Sequence, residues 1–293
     1  MVAVTLMWST AGVVTRHLDA ARSFEVTFWR SLFTALSLLL ILPLLRGRRV
    51  FGNMRHANAS FWLSGACWGV MFTAFMLALT LTTVANVLIT MSVGPFLTAL
   101  LARVFIGHRI PVRTWIAIVT AGGGIAAMYG AQVSPGQIAG TLVALCVPLV
   151  GSINWTINQS SHQKTQQNSQ TKEQTVDLVP AVLVGAVFSC CMTLPLALPL
   201  QATAHDLGLL AFLGLTQLAI PCVLAVLCAR VLKAPEISLL TLLEVIFGIV
   251  FAWLGANEVP EGRVLLGGTL VIGALLVNEL LGWRQRGRAE VVG

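Results

Sequence analysis

Glu244 sits nine residues into an apolar stretch that runs from 235 to 256. At about 1.5 Å per helical residue it lies roughly 13 Å deep, near the middle of an about 30 Å hydrocarbon core. An acidic group at that depth costs about 2.5–3.5 kcal/mol to insert, so it persists only where it faces a wet cavity or a partner, or is protonated. Ser238, Thr241 and Gly248 recur on its face at helical spacing. A carboxyl there can carry a proton or hold a cationic group. It can equally be a neutral carboxyl bonded across helices, and both readings stay open.

Arg30 is the second charge inside an apolar stretch, about five residues into 25–45. It could form an ion pair with Glu25, or reach toward Glu244 or an anionic substrate group. The simpler expectation is that its long stem lets the guanidinium snorkel to the outer headgroups. Polar residues elsewhere form stripes: Thr5, Ser9 and Gly12; Asn86, Thr90, Gly94 and Thr98; Gly151, Asn154 and Asn158; Gln217 and Pro221. In lipid such groups should face protein or water, so they either line a substrate path or pack helices together. The Gly65-xxx-Gly69 spacing reads as a close helix approach. Trp8 and Trp155 border these stripes and could stack on a flat or cationic substrate, although anchoring at the interface is the commoner role. Pro95, Pro148 and Pro221 should kink their helices. The candidate cavity set is therefore Glu244, Thr241, Ser238, Asn86, Thr90, Asn154, Trp155, Gln217, Trp8 and Ser9, with Glu244 as the coupling candidate.

Positioning these groups requires membrane-spanning helices. A span needs about 17–25 mostly apolar residues. Ten stretches qualify in type: 1–16, 25–45, 59–80, 83–106, 112–131, 137–158, 177–200, 207–230, 235–256 and 263–283. The connections are short, except a polar one over roughly 159–176 that should be a flexible loop. Only 10% of residues are charged and mean hydropathy is +0.86, which excludes an ordinary soluble domain. With the N-terminus inside, 14 of the 18 Lys and Arg fall on the inner side. Only Arg16, Arg22 and Arg263 fall outside, so both termini are expected in the cytoplasm. The N-terminus lacks the basic n-region and cleavage site of a signal peptide. An apolar run opening almost at Met1 is what a chain missing a few native residues would present.

Several chemistries find no support. The six cysteines lie in apolar runs without a CxxC pair, and the five histidines are scattered, so no metal site is expected. There is no GxxxxGK[ST] phosphate loop. The basic residues form no continuous patch with interleaved aromatics, so the pI near 9.6 does not imply nucleic acid. No cofactor is expected. The sequons at Asn58 and Asn158 fall on the inner side, where glycosylation is not expected.

The two halves echo each other. With a shift of 150 residues, Arg113 meets Arg263, Gly123 meets Gly273, and Gly94-Pro95 meets Glu244-Val245. Five spans per half is an odd number, so the second half enters the membrane in the opposite sense. Inverted repeats of this kind mark secondary transporters, with the site near midplane at the repeat interface.

LLEVIFGIVFAWLGANEVP followed by VLLGGTLVIGALLV resembles the end of an EamA-type repeat. VGPFLTALLARVFIGHRIP followed by WIAIVTAGGGIAAM is a degenerate version, and WST at 8–10 and FWRSL at 28–32 fit a repeat start. The chain thus resembles ten-helix members of the drug/metabolite transporter superfamily. The resemblance implies an all-α membrane fold with repeats at 1–131 and 137–283 and a basic cytoplasmic tail at 284–293. It also implies a cavity lined mainly by spans one, three, four, six, eight and nine. His108 stands where the family usually has Glu, although Glu258 keeps it in the second half, and Val245 stands where a Pro is usual. The expected function is export of a small metabolite, amino-acid-like or amphipathic, across the bacterial inner membrane by alternating access, with proton coupling through Glu244 as an option. Expected partners are a small-molecule substrate and the lipid bilayer; a homodimer is compatible with the layout. A membrane-embedded enzyme is the alternative, but paired acidic motifs, HExxH and an intramembrane His are missing. Nothing positive supports a non-transporting sensor or partner protein.

Overall fold

The computed structural model describes residues 1–15, 17–21, 23–47, 49–55, 57–81, 87, 90–107, 110–129, 138–167, 177–256, 262, 266, 267, 269–274, 276–278 and 281. Asn86, His108, Glu258, the outer-side Arg16, Arg22 and Arg263, and the basic tail at 284–293 lie outside the described residues.

Among the described residues the chain is helical throughout, with no strand. The elements are α1 Val2–Trp8, α2 Thr10–Thr15, α3 Ser23–Arg46, α4 Val50–Arg55 and α5 Ala59–Leu81. They continue with α6 Gly94–Phe105, α7 Val112–Tyr129, α8 Ile138–Gln167 and α9 Ala181–Ala197. Then come α10 Ala204–Phe212, a π-helical segment Leu213–Ala219, α11 Ile220–Cys228, α12 Ala234–Thr241 and α13 Leu243–Ala256.

Among the described residues, four helical stretches are long and apolar enough to cross a bilayer: Phe24–Arg46, Ala59–Leu79, Ile138–Gln163 and Ala204–Cys228. Val2–Thr15, Gly94–Phe105, Ala181–Ala197 and Thr269–Asn278 are shorter apolar helices. One expectation needs correction. The polar connection after Asn158 is not wholly a loop, because α8 continues to Gln167. Gln forms helices readily, and Gln159 is buried with its Oε1 accepting from the Ala234 N–H at 2.8 Å. The connection between the second and third stretches also holds a short helix, α4.

Small residues set the packing. α5 lies against α8 and α9, and α9 also lies against α3. A Cβ on Gly185 of α9 would run into Trp68 Cβ and come within 2.9 Å of the Gly69 N and 3.0 Å of the Gly65 carbonyl. Gly65-xxx-Gly69 is therefore a close-approach motif, with Gly185 filling its groove. Around this contact Leu38, Leu42, Phe61, Trp68, Phe72, Val182 and Ala186 form the main apolar core.

Carboxylates tie the helix ends. Asp206, at the start of α10, accepts from the N–H groups of Asp19, Ala20 and Ala21 at 2.7, 3.0 and 3.1 Å. Thr203 completes a capping box with it. Glu25 Oε1 accepts from the Gln201 and Ala202 N–H groups at 2.8 and 2.7 Å. At the far end of α3, Asp177 takes Arg46 at 2.6 Å and Arg230 at 2.8 Å. Asp206 is thus spent on backbone donors, and its neighbours Asp19 and His205 make an exposed pair at 3.3 Å.

Candidate functional site

Among the described residues, three of the interrupted helical stretches bear on the site. The α1–α2 stretch breaks at Ser9. The α10–α11 stretch passes through the π-helical segment. The α12–α13 stretch breaks at Leu242, where Leu242 N–H bonds the Leu239 carbonyl at 3.2 Å and Val245 N–H bonds the Leu242 carbonyl at 3.1 Å, a local tightening to three-residue turns. Each interruption places a side chain on one cavity: Trp8 from the first, Gln217 from the second, Thr241 and Glu244 from the third. Gly94 and Pro148 border it where α6 begins and α8 carries its proline. Interrupted helices within a membrane are tolerated where they line a cavity or are packed in protein.

The cavity measures about 130 Å³, roughly ten times the space one buried water needs. Its walls are mostly apolar and aromatic. Trp68 meets Trp155 edge to face with ring centroids 5.7 Å apart, and Phe72 lies 5.6 Å from Trp68. Met71, Met91 and Phe75 add soft apolar surface. Against this lining stand one basic and one acidic side chain, Arg30 and Glu244.

Arg30 departs from the sequence expectation. Its side chain is not drawn to the surface; the residue is only 1% exposed. It lies eight residues into α3, and neighbouring helices cover it. Nη1 donates to Gln217 Oε1 at 3.2 Å and Nη2 to the Phe72 carbonyl at 3.1 Å. The anticipated ion pair with Glu25 or Glu244 is not made among the described residues, since Glu25 is taken up by backbone donors. Gln217 reaches Arg30 because Gly214 lets the π-helical segment touch α3. A Cβ on Gly214 would lie 2.7 Å from Phe33 Cβ and 3.0 Å from the Arg30 carbonyl, and the Gly214 carbonyl accepts from Thr34 Oγ1 at 3.1 Å. Gln217 Nε2 then donates to the Trp8 carbonyl at 3.4 Å.

Glu244 makes no hydrogen bond or ion pair among the described residues. Beside it, Thr241 Oγ1 bonds the Ser238 carbonyl at 2.6 Å. Ser238 Oγ stands 3.5 Å from where a Gly94 side chain would begin, so α6 and α12 meet there. Ser152 ties the same corner, donating to the Pro148 carbonyl at 2.5 Å and accepting from Thr98 Oγ1 at 3.0 Å.

Seven of the eleven site candidates thus border the cavity, Trp8, Arg30, Trp155, Gln217, Ser238, Thr241 and Glu244, together with Gly94, Pro148 and Gly151 of the polar stripes and kinks. Three others do not. Asn154 is fully buried, and its Oδ1 accepts from Ser64 at 2.7 Å, which makes it a link between α8 and α5. Ser9 turns back on its own helix, donating to the Leu6 carbonyl at 2.8 Å. Thr90 is buried off the wall. Asn86 is outside the described residues. The sequence reading missed Trp68, Met71, Phe72 and Phe75, a continuous face of α5. Their spacing of three and four was the available signal, but an apolar face on an apolar helix does not announce a cavity.

These features define an all-helical, multi-pass membrane protein with an internal cavity lined by one basic and one acidic side chain. Residues 1–130 match the model of the EamA-like transporter family. No curated protein matches the chain in sequence. A solved structure titled only "Crystal structure of protein" is similar over 95% of both chains, with a TM-score of 0.74 at 16% identity, which speaks to the fold alone. The family match, on a chain with membrane-spanning helices, supports a membrane transporter of the drug/metabolite type.

Proposed function

We propose that the protein is a secondary transporter that exports a small metabolite, amino-acid-like or amphipathic, across the bacterial inner membrane by alternating access. The reading takes ten spans in two inverted repeats, 1–131 and 137–283, with both termini in the cytoplasm. The observation that carries it is the cavity itself. Interrupted helices from the first and second parts of the chain converge on it, each supplying a wall residue. That is the arrangement by which a carrier exposes backbone and side-chain polar groups to a solute while staying inside a bilayer.

Glu244 is the candidate for a coupling proton or for the cationic group of the solute. It faces the cavity without a partner among the described residues, so it is available for either. Trp8, Trp155, Gln217, Ser238 and Thr241 supply the remaining contacts.

Solute counterflow in proteoliposomes tests the proposal. Vesicles loaded with an unlabelled metabolite should transiently accumulate the same labelled metabolite from outside for at least one member of a broad panel of amines, acids, zwitterions and neutral solutes. An empty-vesicle response for every class would contradict carrier function.

A further inference from the structure

We propose that Arg30 anchors a carboxylate of the transported molecule, with the indole N–H of Trp68 as a second donor; this rests on the transporter reading above. A guanidinium stays charged and offers five N–H donors in a planar fork. Arg30 is 1% exposed, and its two hydrogen bonds among the described residues run to neutral oxygens, Gln217 Oε1 and the Phe72 carbonyl. Its Nε is buried without an acceptor, and so is Trp68 Nε1. Both residues line the cavity. Phe72, which takes Nη2, stands one turn beyond Trp68 on the same face of α5. Buried donors without acceptors are rare and call for an explanation. A buried cation without a counter-charge is costlier still.

Glu244 does not supply that counter-charge, because no ion pair links it to Arg30 among the described residues. An anionic ligand would. One cation balances one negative charge, which favours a monocarboxylate over a phosphate dianion, and the planar fork matches a carboxylate. The bonds to Phe72 and Gln217 hold the guanidinium in place before the ligand arrives, so little ordering remains to be done on binding. A purely structural Arg30, bracing α3 against α5, would instead be indifferent to the charge of the solute.

The test varies charge at constant shape. Binding to the full-length protein in nanodiscs is measured by tryptophan fluorescence for L-leucine, L-leucinamide, 4-methylpentanoate and 4-methylpentanamide. Each acid is expected to bind at least about tenfold more tightly than its amide, the scale of one charge-assisted hydrogen bond. Arg30→Gln should bring the acid-to-amide ratio close to one, and Arg30→Lys should keep part of it. Equal binding of acid and amide by the wild type, binding of neither acid, or an undiminished ratio in Arg30→Gln would overturn the assignment. The wild-type comparison stands even where Arg30→Gln fails to fold. Counterflow of amines or neutral solutes in the same preparation without any acid preference would remove the carboxylate site and leave transport standing. Absence of all counterflow would instead remove the transport reading.

Discussion

Arg30 and Gln217 lie 187 residues apart in the chain and meet at 3.2 Å between Nη1 and Oε1. Through Gln217 Nε2 the contact extends to the Trp8 carbonyl at 3.4 Å. Three elements, α1, α3 and the π-helical segment, therefore share one buried polar network at the cavity wall. Such networks rigidify a site when all members are satisfied and weaken it when one is removed.

Gln217→Leu should break that network. It keeps the side chain's approximate size but leaves Arg30 Nη1 and the Trp8 carbonyl without this partner. A destabilisation of about 1–3 kcal/mol is expected for the buried group left unpaired. Thermal unfolding of the detergent-purified protein checks it. An unchanged midpoint would mean that the amide is not what holds Arg30.

Gly214→Ala should separate the π-helical segment from α3. The added Cβ would stand 2.9 Å from the Thr34 N and 2.7 Å from Phe33 Cβ. Backbone and Cβ atoms cannot yield as a side-chain tip can, so a loss of about 1–3 kcal/mol is expected. Gly208→Ala is the matched control, since nothing lies within 4 Å of its Cβ position. A control as damaging as Gly214→Ala would refute the close-approach argument.

Asp206→Asn should loosen one end of the bundle. The carboxylate accepts four backbone N–H groups, from Asp19, Ala20, Ala21 and Thr203. An amide presents one oxygen in place of two and loses the charge, so hydrogen exchange at residues 19–21 should accelerate well above wild type. None of these residues lines the cavity, and solute affinity should change little.

Glu244→Gln separates coupling from binding. If Glu244 carries the transported proton, accumulation driven by an imposed pH gradient should disappear in this variant. Counterflow, which needs no net proton movement, should persist. Gradient-driven accumulation equal to wild type would remove Glu244 from the coupling role.

Much of the site was legible in the primary structure because lipid penalises polar groups. Glu244, Gln217, Ser238 and Thr241 stood out against apolar surroundings, and all border the cavity. The same signal also singled out Asn154, whose Oδ1 is taken by Ser64 of a neighbouring helix while the residue stays off the cavity wall. Which polar face meets a neighbour depends on helix rotation, which spacing alone leaves open. Arg30 was misjudged for a related reason. Depth along α3 suggested a route to the headgroups, but the packing of α5 and the π-helical segment closes it. The interruptions at Ser9 and Leu242 carry neither Gly nor Pro at the break itself, so they had no local mark. Trp68 was silent because its role comes from the shape of the space beside it.

The most direct measurement is counterflow of a transported solute by wild type and by Gly151→Leu. Gly151 lines the cavity, and a Cβ there would meet only the flexible Met71 side chain, at 3.2 Å from Sδ. The leucine should therefore fill the cavity while the protein still folds and elutes as wild type. Abolished counterflow with an unchanged elution profile is the expected result. Counterflow at the wild-type rate through a filled cavity would contradict its role as the transport path.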